Sequence, residues 1–209
     1  MKNEIKGILF DLDGTVLNTQ KMNIIPLQKL VLEELGKSIS YENLLEYSAY
    51  PGKKTLELLG FKNIETSYDK WVKYVNEFEE GAILYKGFDT VFRKLYEKQI
   101  KIGIVSSKTR KQYEIDFIPT NLEKYIQCLV LAEDTINHKP NPEPLLLGAK
   151  LLNLNPENII YIGDTFADEI ACKKANMKFA LASWGAIQTI NITCDFFLKL
   201  PEDILKIEM

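Results

Sequence analysis

Gly7-Ile8-Leu9-Phe10-Asp11-Leu12-Asp13-Gly14-Thr15 joins an apolar run to two carboxylates, two residues apart, and a glycine turn. Ile5 to Phe10 has the β-branched and aromatic content of a strand buried on both faces, and it stops abruptly in charge. Asp11 is therefore expected at the carboxyl end of a strand. In open α/β sheets the crevice outside those ends is where ligands bind, so a buried strand delivering an aspartate there reads as a site. The competing reading of this segment alone is a solvated loop with Asx-turn aspartates.

Downstream, residues 18–85 change character, because apolar residues recur at helical spacing. Ile24, Leu27, Leu30, Val31 and Leu35 mark one amphipathic helix that Gly36 can terminate. Tyr68, Trp71, Val72, Val75 and Phe78 mark another after a Thr66-Ser67 cap signal, with the aromatics read as core. After Gly87 helices and buried strands alternate: helix 88–98, strand 101–105, strand 127–131, helix 143–153, strand 158–162, a helix through Lys174 and strand 178–181. Such alternation implies βαβ units and a parallel sheet. The expected fold class is α/β: a Rossmann-like catalytic core of residues 1–17 and 86–209, its parallel sheet flanked by helices, with an all-helical cap domain, 18–85, inserted after the first strand.

Three further polar segments fall at or near the ends of the later strands. Ile102 to Val105 runs into Ser106-Ser107-Lys108, which supplies a hydroxyl and backbone donors. Lys139 precedes Pro140, and Pro142 and Pro144 stiffen the approach to the next helix, so its ammonium can be held inward. Ile159 to Ile162 runs into Gly163-Asp164-Thr165-Phe166-Ala167-Asp168, a second acidic strand end. Two such ends meet repulsion and desolvation unless a cation or base stands with them.

Phosphoryl transfer makes the set coherent, because it needs a nucleophile, countercharge and proton management at the leaving oxygen. Asp11 can attack phosphorus to give an aspartyl-phosphate. Mg²⁺ held by oxygens of Asp11, Asp13 and Asp164 would screen the repulsion between carboxylate and phosphate dianion. Ser106, with Ser107 beside it, and Lys139 would hold phosphoryl oxygens. Asp13 can protonate the departing alcohol and then deprotonate the water that cleaves the intermediate.

The segments FDLDGT (10–15), IVSSK (104–108), HKPNPEP (138–144) and YIGDTFADE (161–169), in this order, resemble the four motifs of the haloacid dehalogenase superfamily. The resemblance implies Asp11 as nucleophile and Asp13 as general acid and base. It implies a metal bound by the Asp11 carboxylate, the Asp13 backbone carbonyl and Asp164, with Asp168 supporting the metal waters or the lysine. Ser106 matches the second motif's hydroxyl and Lys139 the third motif's lysine. Asp13 argues against dehalogenases, which lack that aspartate. The helical insert is similar to the cap of the phosphoglycolate phosphatase-like branch, as are Tyr85-Lys86-Gly87 and Ala182-Ser183-Trp184-Gly185. Lys86 departs from a frequent proline, and Asn176 departs from a glycine, though asparagine tolerates the left-handed cap. In that branch the cap closes over the substrate and selects the leaving group. Gly52-Lys53-Lys54-Thr55 lies where its specificity loop falls, and Lys53 and Lys54 either suit a carboxylate or second phosphate or are simply solvated lysines at a helix start. The expected activity is a Mg²⁺-dependent phosphatase acting on a small phosphorylated metabolite such as a phosphoglycolate-like acid, a nucleotide or pyrophosphate. A β-phosphoglucomutase-like phosphomutase and an inactive regulatory binding protein are the alternatives.

Composition excludes other classes. The net charge is −3, with no basic patch for nucleic acid. No run reaches the roughly 18 apolar residues that span a bilayer, and a cytoplasmic monomer or homodimer is expected. Cys128, Cys172 and Cys194 lack Cys-x-x-Cys spacing and read as reduced core thiols. His138, the single histidine, reads as a loop residue. The chain carries neither G-x-G-x-x-G nor a P-loop.

Overall fold

In the computed structural model, residues 4–50, 52–187, 189 and 191–209 are described. The chain forms two compact units, one holding the chain up to Asn18 together with Leu84–Met209, the other Thr19–Ile83. The crossings fall at two short strands, β2 (Leu17–Asn18) and β3 (Ile83–Leu84).

In the first unit the strands are β1 (Gly7–Phe10), β4 (Lys101–Val105), β5 (Cys128–Val130), β6 (Ile159–Gly163), β7 (Lys178–Ala182) and β8 (Phe196–Leu198). Among the described residues these six make one sheet in the order β5-β4-β1-β6-β7-β8, every pairing parallel. β1 is central because all four of its residues are apolar or glycine and fully buried. Successive side chains alternate between faces. Leu9 belongs to one buried cluster with Leu145 and Ala149 of α7 (Glu143–Leu152) and with Ala171 and Cys172 of α8 (Phe166–Lys174). Phe10 faces Phe88 and Phe92 of α5 (Phe88–Glu97), with ring centroids at 6.0 and 5.0 Å. Helices therefore cover both faces, and each aromatic pair adds about 0.5–1.5 kcal/mol beyond its buried area. A further α-helix of this unit, α6 (Arg110–Asp116), starts at Thr109 in a capping box with Gln112.

The register sets the strand ends side by side. Phe10 is level with Ile104 and with Ile162, so the residues after β1, β4 and β6 leave the sheet along one edge. β8 went unforeseen: its three residues are too few to show a period, and it forms only as a sheet edge against β7. Asn153 and Asn176 both take positive φ, 52° and 57°, the latter as expected of an asparagine in place of glycine.

The second unit is helical: α1 (Gln20–Leu35), α2 (Tyr41–Leu45), α3 (Gly52–Leu59) and α4 (Ile64–Asn76). Ile24, Leu27, Leu30 and Val31 of α1 pack on Leu44, Leu56, Leu59 and Phe61, with Tyr68, Trp71 and Tyr74 beside them. Of the aromatics expected as core, Tyr68 and Trp71 pack half-buried against this cluster, the Trp71 indole N–H donating to Asn23 O at 3.0 Å, and Phe78, also half-buried, lies past the end of α4. Gly36 closes α1 at φ 64°. The Thr66-Ser67 cap expectation is corrected: α4 starts at Ile64 after Asn63, and Ser67 lies buried within it, donating to Glu34 Oε2 at 2.6 Å. A hydroxyl mid-helix that finds a side-chain acceptor is no longer a cap.

Candidate active site

Asp11 continues the β1 ladder one step beyond the strand, its N–H donating to Ile162 O at 2.9 Å. Its Oδ1 then accepts from Leu12 N at 2.8 Å. The amides of Thr15, Val16 and Leu17 all donate to Leu12 O, closing a tight loop that Gly14 enters at φ 73°. Trp184 and Gly185 brace this loop from outside: the indole N–H donates to Thr15 O at 2.8 Å, and a Cβ on Gly185 would stand 1.7 Å from Gly14 O.

Lys139 binds the ends of β1 and α8 together. Its buried Nζ lies 2.9 Å from Asp11 Oδ2, 2.7 Å from Asp168 Oδ1 and 2.9 Å from the Tyr161 hydroxyl. Asp168 also accepts from Thr165 N and Oγ1, at 3.0 and 2.6 Å, in the capping box that begins α8. Asp164, partly buried at the end of β6, accepts from Thr15 Oγ1 at 3.1 Å. Carboxylate oxygens of Asp11, Asp164 and Asp168 all lie within 4.8 Å of one another.

Such crowding shifts protonation. Burial pushes the Asp11 carboxyl up to about 6, Lys139 pulling it back and Asp168 and Asp13 adding repulsion. Burial, then repulsion from Asp168 and Asp11, drives Asp164 well above the usual carboxylate range. Asp168 moves down: burial opposes its charge, but the Lys139 ammonium and the Thr165 donors outweigh it. Lys139 moves up for the same reason, the attraction of Asp11 and Asp168 exceeding the cost of burial.

The donor set suits a hard divalent cation, being three carboxylates around one ammonium, with the excess negative charge expressed in the raised Asp11 and Asp164. Asp168 is already engaged by Lys139, Tyr161 and Thr165. Asp13 is not one of these three, its Oδ1 paired instead with Lys108 Nζ at 3.0 Å. Lys108, buried, also reaches Asp116 Oδ2 at 2.5 Å.

Ser106 follows β4 and is buried, its Oγ accepting from Lys108 N at 3.3 Å, while Ser107 beside it is exposed. Lys53 and Lys54 belong to the helical unit and pair with Glu65 at 2.6 Å and Glu57 at 2.9 Å. His138 is an exposed loop residue. Cys128 and Cys172 are buried free thiols, both pushed by burial to about 12, and Cys194 is half-buried. Sequence reasoning missed three contributors. Tyr161 reads as strand core, and its hydroxyl gives no periodic signal. Lys108 lies inside the quoted IVSSK segment but carried no role. Asp116 sits at the end of a short helix with nothing local to mark it.

A haloacid dehalogenase-like hydrolase family profile matches residues 8–182. The chain belongs to that family. This hydrolase is similar to the pyrophosphatase PpaX of Anoxybacillus flavithermus, 28% identical over 209 residues that span 97% of this chain and 96% of the relative. It is similar to the phosphoglycolate phosphatase of Aquifex aeolicus, 30% identical over 208 residues covering 97% and 96%. A crystal structure of a Lactobacillus plantarum protein assigned as a phosphoglycolate phosphatase superposes with a TM-score of 0.87 at 25% identity, covering 97% of this chain and 99% of that one. Among the described residues of this hydrolase, no helix is long and apolar enough to cross a membrane.

Proposed function

We propose that this hydrolase is a Mg²⁺-dependent phosphatase of small phosphorylated metabolites, working through a phosphoryl group carried on Asp11. The observation that carries the reading is the pairing of a buried Asp11 with Lys139 at 2.9 Å, in a carboxylate cluster at the carboxyl edge of a parallel sheet. The carboxylates of Asp11 and Asp164 and the backbone carbonyl of Asp13 would hold the metal, with Asp168 fixing Lys139 rather than binding directly. Bound there, Mg²⁺ would screen the repulsion between an anionic nucleophile and a phosphate dianion.

An Asp11 carboxylate oxygen attacks phosphorus, and the bond from phosphorus to the ester oxygen breaks. That oxygen leaves with a proton from Asp13. Asp13, now a carboxylate, takes a proton from water as the water attacks the phosphoryl group, and the bond to Asp11 breaks to release phosphate. Lys139 and the Ser106 hydroxyl, with Ser107 adjacent, hold phosphoryl oxygens as charge shifts onto them. Selection of the leaving group is assigned to the helical unit, Lys53 and Lys54 favouring substrates with a carboxylate or second phosphate. The relatives named for pyrophosphate and phosphoglycolate support that substrate class.

The test is hydrolysis of p-nitrophenyl phosphate with Mg²⁺. Asp11→Asn should lose on the order of 10⁴-fold or more in kcat, as removal of a nucleophile does elsewhere. Unchanged hydrolysis in Asp11→Asn, or full activity in excess chelator, would overturn the reading.

A further inference from the structure

Lys108 and Asp116 form a second buried ion pair, with side chains 7% and 4% exposed and Nζ to Oδ2 at 2.5 Å. Burying two charges costs more than a surface pair returns, and packed apolar residues usually serve stability as well. The pair is therefore informative for what else it touches, and Lys108 Nζ also lies 3.0 Å from Asp13 Oδ1. The Asp13 backbone is pinned by its bridge to Leu17; its side chain is 39% exposed, but Oδ1 is buried without a hydrogen bond, and the Lys108 ammonium is the charge that meets that oxygen. Proton transfer needs its oxygen within about 2.6–3.2 Å of the reacting group, so a free rotamer would waste turnovers.

We propose that Lys108 and Asp116 are positioning residues: Asp116 fixes the Lys108 ammonium, and the ammonium holds the Asp13 carboxylate in one orientation beside Asp11. The local chain supports this arrangement. Lys108 precedes the Thr109 cap of α6 and Asp116 ends that helix, so both members of the supporting ion pair are placed by one short element. Left untethered, the Asp13 carboxylate would be drawn to any cation held by the neighbouring cluster. The proposal rests on the phosphatase reading for the role of Asp13.

The test compares wild type with Lys108→Met, Asp116→Asn, Asp13→Asn and the double variant Asp13→Asn/Lys108→Met, using p-nitrophenyl phosphate with Mg²⁺. Lys108→Met is expected to lower kcat about 10–100-fold, the usual cost of losing a supporting partner, with KM within about threefold of wild type. Asp116→Asn should shift kcat in the same direction. The double variant should be within about twofold of Asp13→Asn alone, because the tether acts only through Asp13. A raised KM with unchanged kcat would make Lys108 a substrate contact and overturn the proposal, as would losses that multiply in the double variant. If Lys108→Met does not fold, Asp116→Asn, which leaves the lysine in place, decides by the same kcat and KM criteria. A crystal structure of Asp116→Asn reads the tether without activity: an Asp13 carboxylate in its wild-type rotamer against Lys108, with full order, overturns it. Should the Asp11→Asn control retain activity, the phosphatase reading fails, and the rotamer alone decides the tether.

Discussion

A Cβ on Gly14 would stand 2.1 Å from Asp164 Oδ2, so the absence of a side chain at Gly14 makes the space that the Asp164 carboxylate fills. Gly14 also holds φ at 73°, where an alanine is strained. Gly14→Ala is expected to push Asp164 from the cluster, lowering kcat by about 10²-fold or more, the cost of roughly 1 Å of misplacement. Mg²⁺ affinity, read by calorimetric titration, should fall with it. Near-wild-type activity and affinity would show that the carboxylate does not need this place.

Protonation links the same cluster to stability. Asp11 is raised from 3.8 to about 6 and Asp164 moves the same way. A carboxyl raised on folding holds its proton more tightly when folded, so its contribution to stability is full below about pH 4 and is lost as pH rises through the folded value. In chelator at about pH 7, Asp164→Asn should therefore melt a few degrees above wild type, and the gap should close toward pH 4. Mg²⁺ should raise the wild-type midpoint and leave that of the variant nearly unmoved. Thermal melts across pH check both; a gap independent of pH contradicts them.

Tyr161→Phe removes a hydroxyl that accepts from Lys139 at 2.9 Å and lies 3.1 Å from Asp168 Oδ1 and 3.2 Å from Val105 O. The buried Lys139 ammonium then keeps two of its three partners. Denaturant titration should give a loss of about 1–2 kcal/mol. A fall in kcat of about tenfold should accompany it, because Lys139 is less well aimed. Unaltered kcat would restrict Tyr161 to packing.

Lys53→Ala/Lys54→Ala breaks two exposed, solvent-screened ion pairs, so the thermal midpoint should hardly move. On phosphate esters bearing a carboxylate, kcat/KM should fall about tenfold relative to p-nitrophenyl phosphate, one charge contact's worth. Equal changes on both substrates would remove these lysines from selectivity.

Much of the architecture is visible in local patterns. Short β-branched apolar runs bounded by turn residues, such as Ile159 to Ile162, read as strands buried on both faces, and Gly36, Asn153 and Asn176 mark helix ends because they tolerate left-handed backbone. Thr66-Ser67 misled because α4 begins at Ile64 after Asn63 without any side-chain cap, and the Ser67 hydroxyl is taken up by Glu34, 33 residues away in sequence. β8 needed β7 beside it to exist at all. The site divides in the same way. Asp11, Asp13, Asp164, Asp168 and Lys139 each stand at a strand end or stiffened loop that a reader can locate, while Tyr161, Lys108 and Asp116 carry no local mark.

The sequence by itself determined the alternation of buried strands and helices, the helical insertion and the acidic strand ends, because burial periods, glycine turns and proline constraints act over a few residues. Only the tertiary structure decided which charge meets which: Lys139 goes to Asp11 and Asp168, and Lys108 to Asp13 and Asp116. Such pairings join residues from 8 to 128 positions apart (116 − 108 and 139 − 11), and in a buried setting they are set by sheet register and desolvation rather than by neighbouring sequence.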